Sequence, residues 1–271
     1  MYPNREIFPH APLALVAAEI RFTDAARLRQ QQTKDAVAIA LEERFPFAES
    51  LKRAEVNLNL IPGGGQPQIQ ERLGVVLKNA NSTESLTIMS ESLTYETTAY
   101  TNFEQLLEAV SAACDALTEA KVQPAVQRVG LRYIDEVRVS EQVTDVRQWS
   151  TWINGQLIGH LDAGPEAYPA TGLESVSTYD LGGGKGLNIR FAALNQGPVV
   201  VPQFLKRPAI SSGPFFVLDF DGFHDFTSLD AVPLSSRVVL ESLSAVHIPC
   251  GMAFQRSITD EARQLFRGAT S

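Results

Sequence analysis

The order of strand and helix patterns is the feature that most constrains this fold, because the same order occurs twice. In the first half, a strand, a helix, three strands and a second helix are predicted at residues 13–22, 23–45, 55–61, 72–78, 85–95 and from Thr101 onward. In the second half, the corresponding segments are 128–139, a short helix after Thr144 or Asp145, 175–181, 187–194, 215–220 and 234–246. Alternating apolar residues indicate the strands, and apolar residues three or four positions apart indicate the helices.

This order predicts an α+β protein with a mainly antiparallel sheet and the long helices packed on one face. The two halves, residues 1–124 and 125–271, would then be similar β-α-β-β-β-α units, related by a pseudo-twofold axis within one compact body. No residue-level repeat is visible, so this duplication rests on order and spacing alone. The arrangement resembles duplicated folds of the TATA-binding-protein type, and an antiparallel sheet without the duplication is the alternative.

Size and composition are typical of a folded domain. The chain has 271 residues, of which 44% are hydrophobic and 20% are charged, so a sizeable core can form. No apolar run approaches the roughly 20 residues of a membrane span, and no secretory signal is recognisable, so we expect a cytoplasmic protein with no membrane partner. The net charge of −8 argues against a broad electrostatic grip on nucleic acid. The two cysteines, Cys114 and Cys250, are too few for a four-cysteine zinc site.

Acidic residues cluster near the end of the last predicted strand. Asp219 and Asp221 are two positions apart, so a strand would point both carboxylates to one face. His224 or Asp225 in the following turn could join them around a magnesium or manganese ion, which would support phosphodiester chemistry. The simpler alternative is that Asp219 pairs with an arginine and Asp221 begins a turn. Apart from this metal candidate, the sequence predicts no catalytic residue and no cofactor.

The strand at 128–139 places a carboxylate among apolar side chains. Asp135 shares its face with Tyr133, and a carboxylate buried there must be paired or have a raised pKa. We predict a polar pocket at these two residues, with a structural hydrogen bond as the alternative. The opposite face, which includes Arg132, predicts either a solvated ladder of charge pairs or a docking surface.

Two tryptophans, Trp149 and Trp152, form a second candidate for an interaction surface. Trp149 fits the buried stripe of its predicted helix and Trp152 lies at the border of that stripe. An exposed indole would favour a protein interface, whereas burial of both would assign them to the core. Cys114 also lies on a buried helix stripe, and Cys250 is expected in an accessible bend.

Five segments together resemble a sporadically distributed family of uncharacterised bacterial proteins of about 260 residues. They are APLALVAAEIRF at 11–22, RVGLRYIDEV at 128–137, FFVLDFDGF at 215–223, the helix around Leu240, and FQRSIT at 254–259. The resemblance spans nearly the whole chain, and GLRYI is its most specific motif. Leu15 and Ala17 stand where a more acidic pattern is expected, and Asp135 stands where the family often carries asparagine. The resemblance implies an accessory role in a mobile-element, toxin–antitoxin or phage-defence gene cluster, and it implies no reaction.

Three functions follow as hypotheses. The favoured one is a non-enzymatic interaction protein that binds a partner protein encoded nearby. The alternative is a metal-dependent phosphodiesterase or nuclease that uses Asp219 and Asp221. The third is a nucleic-acid-binding module on the concave face of a duplicated sheet, which rests on fold analogy alone and would need a single basic face formed by Arg128, Arg132, Arg138 and Arg190.

Overall fold

The computed structural model describes residues 6–57, 68–228 and 230–268, and its framework is one ten-stranded sheet. The strands are β1 (Leu13–Phe22), β2 (Phe47–Asn57), β3 (Gln68–Lys78), β4 (Glu84–Ile88), β5 (Ser92–Thr97), β6 (Ala125–Arg138), β7 (Leu173–Gly182), β8 (Lys185–Leu194), β9 (Phe215–Asp225) and β10 (Val232–Pro233). The helices are α1 (Gln31–Ala40), α2 (Phe103–Glu119), α3 (Ser236–Ser257) and α4 (Asp260–Arg267). The predicted α+β class is confirmed.

The sheet is antiparallel at every pairing among the described strands, in the order β2-β3-β4-β5-β1-β6-β9-β8-β7, with β10 against β6. The first strands of the two predicted units, β1 and β6, are therefore neighbours at its centre. β6 begins at Ala125, the predicted boundary between the units. The internal duplication itself stays a prediction.

Helices α2 and α3 cover one face of the sheet. On α2, a stripe that includes Leu106, Val110 and Leu117 is buried against the inward-facing residues of β1, such as Val16 and Ile20. α3 packs on β9 and β6 beside α2, so both helices share this core. Burial of this apolar stripe, at roughly 25 cal/mol per Å², is what holds the helices on the sheet.

The opposite, open face of the sheet is partly covered by the connection between β8 and β9, residues 195–214. Val200 and Leu205 from this connection bury Leu15, Ile134 and Phe215. The sequence predicted either a solvated ladder of charge pairs or a docking surface on this face of β6. At the end of β6 the face is not solvated, because 20 residues of the same chain, without regular structure, fold back over it.

Several element boundaries differ from the predictions. The predicted strand 85–95 is two strands, β4 and β5, joined by a tight turn. The predicted helix 23–45 is shorter, a 3-10 turn (Ala26–Arg29) followed by α1. The helix after Asp145 is a 3-10 helix (Val146–Thr151), and Asp145 does cap it. The cap of α2 is Asn102, which accepts a hydrogen bond from the Gln105 amide, rather than Thr101. The glycine-rich segment at 63–65 and part of the predicted strand 55–61 lie outside the described residues.

The helix α3 is longer than predicted, because it continues through Pro249 to Ser257. By length and hydropathy alone it would suffice to cross a membrane, although core helices of water-soluble proteins meet the same test. In this fold it packs against the sheet, with Val239, Leu243 and Val246 buried.

Candidate functional site

The open face carries the acidic pair, and each carboxylate is held by arginine. Arg132 binds Asp219 through two hydrogen bonds, from Nε to Oδ1 at 2.8 Å and from Nη2 to Oδ2 at 2.6 Å. Arg190 adds a longer contact of 3.6 Å to Oδ2. Asp219 is buried, so the paired guanidinium groups satisfy a charge that would otherwise be costly.

The second member of the pair, Asp221, is held in the same way. Arg128 Nη2 donates to both of its carboxylate oxygens, at 3.2 and 3.3 Å, and the Asn188 side-chain amide lies 3.4 Å from Oδ2. Arg128 also reaches Glu19 on β1 at 3.4 Å and lies 4.9 Å from the centre of the Phe223 ring. The two aspartates therefore belong to a network of ion pairs and hydrogen bonds that joins β1, β6, β8 and β9.

This geometry does not assemble the predicted metal candidate. Asp219 and Asp221 do share one face, but His224 lies on the other face, where its Nδ1 is 3.0 Å from Ser242 Oγ on α3. Asp225 accepts hydrogen bonds from the backbone and hydroxyl of Thr227. Among the described residues, no three His, Cys, Asp or Glu side chains converge as metal ligands. The alternative interpretation is right for Asp219, which pairs with an arginine, and wrong for Asp221, which lies within β9 and does not begin a turn.

The proposed basic surface is compensated. Arg128 pairs with Glu19 and Asp221, Arg132 and Arg190 with Asp219, and Arg138 with Glu136. Phosphate binding draws its affinity from cations that release counterions, and these four guanidinium groups already neutralise carboxylates. The open face therefore lacks the uncompensated charge that the nucleic-acid hypothesis requires of these arginines.

Glu136 fixes the 195–214 connection to the sheet. Its Oε1 accepts hydrogen bonds from Arg207 and from the Val199 and Val200 amides at 2.8–3.3 Å, and its Oε2 accepts from Arg207 and Arg138 at 2.9 Å each. Burial alone would raise the pKa of this carboxyl, but the hydrogen bonds from the two arginines lower it to about 2. The sequence did not predict that Glu136 binds this connection, because the composition of residues 195–214 does not indicate where the segment docks.

A wide trough of about 690 Å³ lies beside this connection on the open face. Glu19, Glu96 and Arg132 line its floor, and Val200 and Phe204 line one wall. Burial raises the pKa of Glu96 above its ordinary value. The floor combines acidic and basic groups, so the trough has no single charge preference.

A second cavity, of about 270 Å³, lies on the helix side of the sheet. We call it the helix-side cleft. It is bounded by the central strands β1 and β6, the segment from Thr97 to Asn102 that precedes α2, the chain before β1, and the later part of α3. Six aromatic side chains contribute to its walls: Phe8, Tyr100, Tyr133, Phe220, His247 and Phe254.

The aromatic walls are held by one another. The Tyr133 hydroxyl lies 2.9 Å from His247 Nδ1, and the His247 ring stacks on Phe103 with 3.9 Å between ring centres. Tyr100 meets Tyr133 edge to face at 5.8 Å. Because α2, α3 and β6 each supply one partner of these contacts, the ring positions are fixed by the packing of the whole core.

Asp135 lies in the helix-side cleft and is only 3% exposed. It stands opposite a bulge in β1 between Leu13 and Leu15, which locally opens the pairing of the two central strands. Burial, followed by the nearby charge of Asp219, raises the pKa of Asp135 to about 8. The structure thus places Asp135 and Tyr133 together in one cleft, as the alternation of β6 indicates, and adds His247 and Phe254 from α3, which the sequence analysis did not associate with them.

The two tryptophans do not form an exposed patch. Trp149 is buried against Phe216, at 5.8 Å between ring centres, and Trp152 is partly buried against Trp149 at 5.7 Å. The expectation for Cys250 is also wrong: it is buried within α3, and burial raises its pKa to about 12. Cys114 is buried on the stripe of α2 as predicted, and burial likewise raises its pKa to about 12.

The outer edge of β7 is a third candidate site. β7 is the last strand of the sheet order, and within the described chain no strand pairs with its outer side. Val176 and Tyr179 on this strand are 55% and 50% exposed. Such an edge offers unpaired backbone groups together with apolar side chains.

Comparison with known proteins adds no family to these observations. No model of a protein family matches the chain, and no curated protein sequence matches it.

Proposed function

We propose that this chain is a non-enzymatic interaction protein, which binds a partner protein by adding an extended partner segment to the outer edge of β7. The observation that carries the proposal is the unprotected character of that edge. Strand addition uses the free backbone groups of an edge strand for affinity and the alternating side chains for specificity. The family resemblance supports a partner encoded by a neighbouring gene of a mobile-element, toxin–antitoxin or phage-defence cluster.

The two edge strands of the sheet, β2 and β7, differ in the residues that protect an edge from pairing with another strand. Edge strands are ordinarily protected by charged residues, especially lysine, or by proline. β2 contains Glu49, Lys52, Arg53 and Glu55 along its length. β7 contains two acidic residues, Glu174 and Asp180, but no lysine, arginine or proline, and its central segment SVSTY is uncharged and includes valine, threonine and tyrosine. This contrast supports β7, rather than β2, as the edge that a partner uses.

Charge favours a different protein over a second copy of the chain. If two copies of β7 paired in antiparallel fashion about Ser177, Glu174 would lie opposite Asp180 of the other copy. Like charges directly opposite each other destabilise a strand pair, and the net charge of −8 adds repulsion. The favoured occupant is therefore an apolar extended segment flanked by basic residues.

Co-expression tests the proposal. The full chain is produced with the products of the adjacent genes, and complexes are resolved by size exclusion. A neighbouring product should co-elute with the native chain, and Tyr179→Lys should weaken that complex by about tenfold or more, because it places a cation against the basic segment. Phe47→Lys is the matched control, since Phe47 is an aromatic residue with 51% exposure on the opposite edge strand.

Three results would contradict the proposal. No neighbouring product co-elutes, or both lysine variants reduce the complex equally, or the chain alone forms a dimer that Tyr179→Lys disperses. The last result would assign the edge to self-association.

A further inference from the structure

The helix-side cleft contains a carboxyl group that differs from the other buried carboxyl groups of the fold. Asp219 and Glu136 each bind arginine. Asp135 is as deeply buried, yet its side chain has neither a hydrogen bond nor a cationic partner among the described residues. A buried polar group without a partner costs free energy, and native proteins rarely leave one in that state. This makes Asp135 the group in the cleft that a ligand can satisfy.

The other polar side chains of the cleft already have partners. Gln255 donates to the Glu6 carbonyl and accepts from Arg263. Asn102 caps α2, and the Tyr133 hydroxyl meets His247. Glu6 also lines the cleft, but Arg267 binds its carboxylate, so a ligand that enters the cleft finds in Asp135 the one lining carboxyl group without a cationic partner among the described residues.

The charge of the missing partner follows from the lining. None of the described residues that line the cleft is a lysine or an arginine, so the described lining supplies no cation for Asp135. The rings of Tyr100, Tyr133, Phe220 and Phe254 line the same space. Aromatic rings stabilise a nearby cation, most strongly where water is excluded.

We propose that the helix-side cleft binds a small organic cation, a primary amine or an amidinium, whose charged group pairs with Asp135 and whose apolar body lies against the aromatic walls. The volume of about 270 Å³ is just below the range of about 300–1,000 Å³ that is common for ligand sites, which limits the ligand to a single ring or a short chain. Binding converts Asp135 to a charge-assisted hydrogen-bond acceptor. This inference does not depend on the proposed binding of a partner at the β7 edge, and the two are tested by separate experiments.

A titration of the full chain with matched probes tests the inference. Benzylamine, phenethylamine and benzamidine are the cationic probes, and benzyl alcohol is the neutral probe of similar shape, each followed by ligand-observed NMR. At least one cationic probe should bind with a dissociation constant on the order of 1 mM, as expected for a fragment of this size. Benzyl alcohol should bind at least about tenfold more weakly than the best cationic probe.

Two substitutions locate the binding. Asp135→Asn keeps the size of the side chain and removes the carboxyl group that ionises on binding, so it should weaken the cationic probe by about tenfold and leave benzyl alcohol unchanged. Asp115→Asn, the same change at an exposed position on α2, should alter neither. Tyr100→Leu removes one ring and should weaken the cation by several-fold, which tests the wall independently of the carboxyl group.

The inference is overturned by any of three results: none of the cationic probes binds, benzyl alcohol binds as tightly as the best of them, or Asp135→Asn and Asp115→Asn have equal effects.

Discussion

Replacing Asp135 by asparagine should stabilise the protein at slightly alkaline pH, although the replaced group lies in its core. In the folded chain the pKa of Asp135 is about 8, against 3.8 for an exposed aspartate, because burial and the charge of Asp219 disfavour ionisation. The unfolded chain therefore releases this proton near pH 4, whereas the folded chain retains it until about pH 8. Between these values, each rise in pH favours the unfolded state.

The magnitude follows from the same two pKa values. One pKa unit corresponds to about 1.4 kcal/mol, so a difference of about four units makes the native chain lose up to about 5 kcal/mol of stability between pH 4 and pH 8. Asp135→Asn has no proton to lose and avoids this loss. Its advantage over the native chain should be only about 1 kcal/mol at about pH 4.5, where the folded aspartate is neutral and the unfolded one is less than one pH unit above its pKa of 3.8, and should grow with pH.

Urea unfolding of both proteins at several pH values between about 4.5 and 8 measures this advantage. Taking the difference between the two proteins removes the titration of other groups, such as Glu136 and His224, which both proteins share. Asp115→Asn supplies the baseline, since its carboxyl group is exposed. A difference that does not change with pH, or a native chain that is more stable than Asp135→Asn at about pH 8, would refute the assignment of a neutral carboxyl group at this position.

Three further substitutions test the packing around the sites. Arg132→Met leaves Asp219 buried without its bidentate partner, so the free energy of unfolding in urea should fall by about 1–3 kcal/mol, and Asp219→Asn in the same chain should restore part of the loss. Glu136→Gln should destabilise the chain by about 2–3 kcal/mol near neutral pH and much less near pH 2. The lowered pKa of the native Glu136, about 2, adds stability above pH 4.5 that is lost on acidification. At neutral pH, limited proteolysis should cut residues 195–214 faster in Glu136→Gln than in the native chain. Gly222→Ala would place a Cβ 2.8 Å from the Cys250 sulfur and 3.0 Å from a Val246 carbon, so the melting temperature should fall, whereas Gly155→Ala, which meets nothing within 4 Å, should leave it unchanged.

Local patterns predicted most strands of the sheet, although β2 begins eight residues earlier than predicted and the strand predicted at 85–95 is two strands. The alternation in β6 placed Asp135 among apolar side chains, and the helical spacing on α2 placed Cys114 in the core. Both predictions depend only on the period of a regular element, which the sequence contains directly. The pairing of Asp219 with an arginine was also foreseen as an alternative, because a buried carboxylate requires a cation.

The rest of the site depends on contacts between distant segments. Pro249 indicated the end of a helix, because proline removes one backbone hydrogen bond, yet α3 continues past it and packs Cys250 onto the bare backbone of Gly222. That continuation brings Phe254 to the wall of the helix-side cleft. The docking of residues 195–214 through Glu136 is likewise a long-range contact, and no local pattern specifies it.

The neighbouring carboxyl groups Asp135 and Glu136 show why the helix-side cleft is the stronger candidate for a ligand. They are consecutive on β6 and point to opposite faces, and their pKa values move in opposite directions, to about 8 and about 2. Glu136 is surrounded by donors that the chain itself supplies, and its burial is offset by the docking of a 20-residue segment. Asp135 lowers stability at neutral pH, and no contact in the described chain offsets this cost. Backbone strain or a buried ionisable group without a compensating contact is characteristic of functional sites. At such a site, the free energy of ligand binding offsets a cost that contacts within the folded chain leave uncompensated.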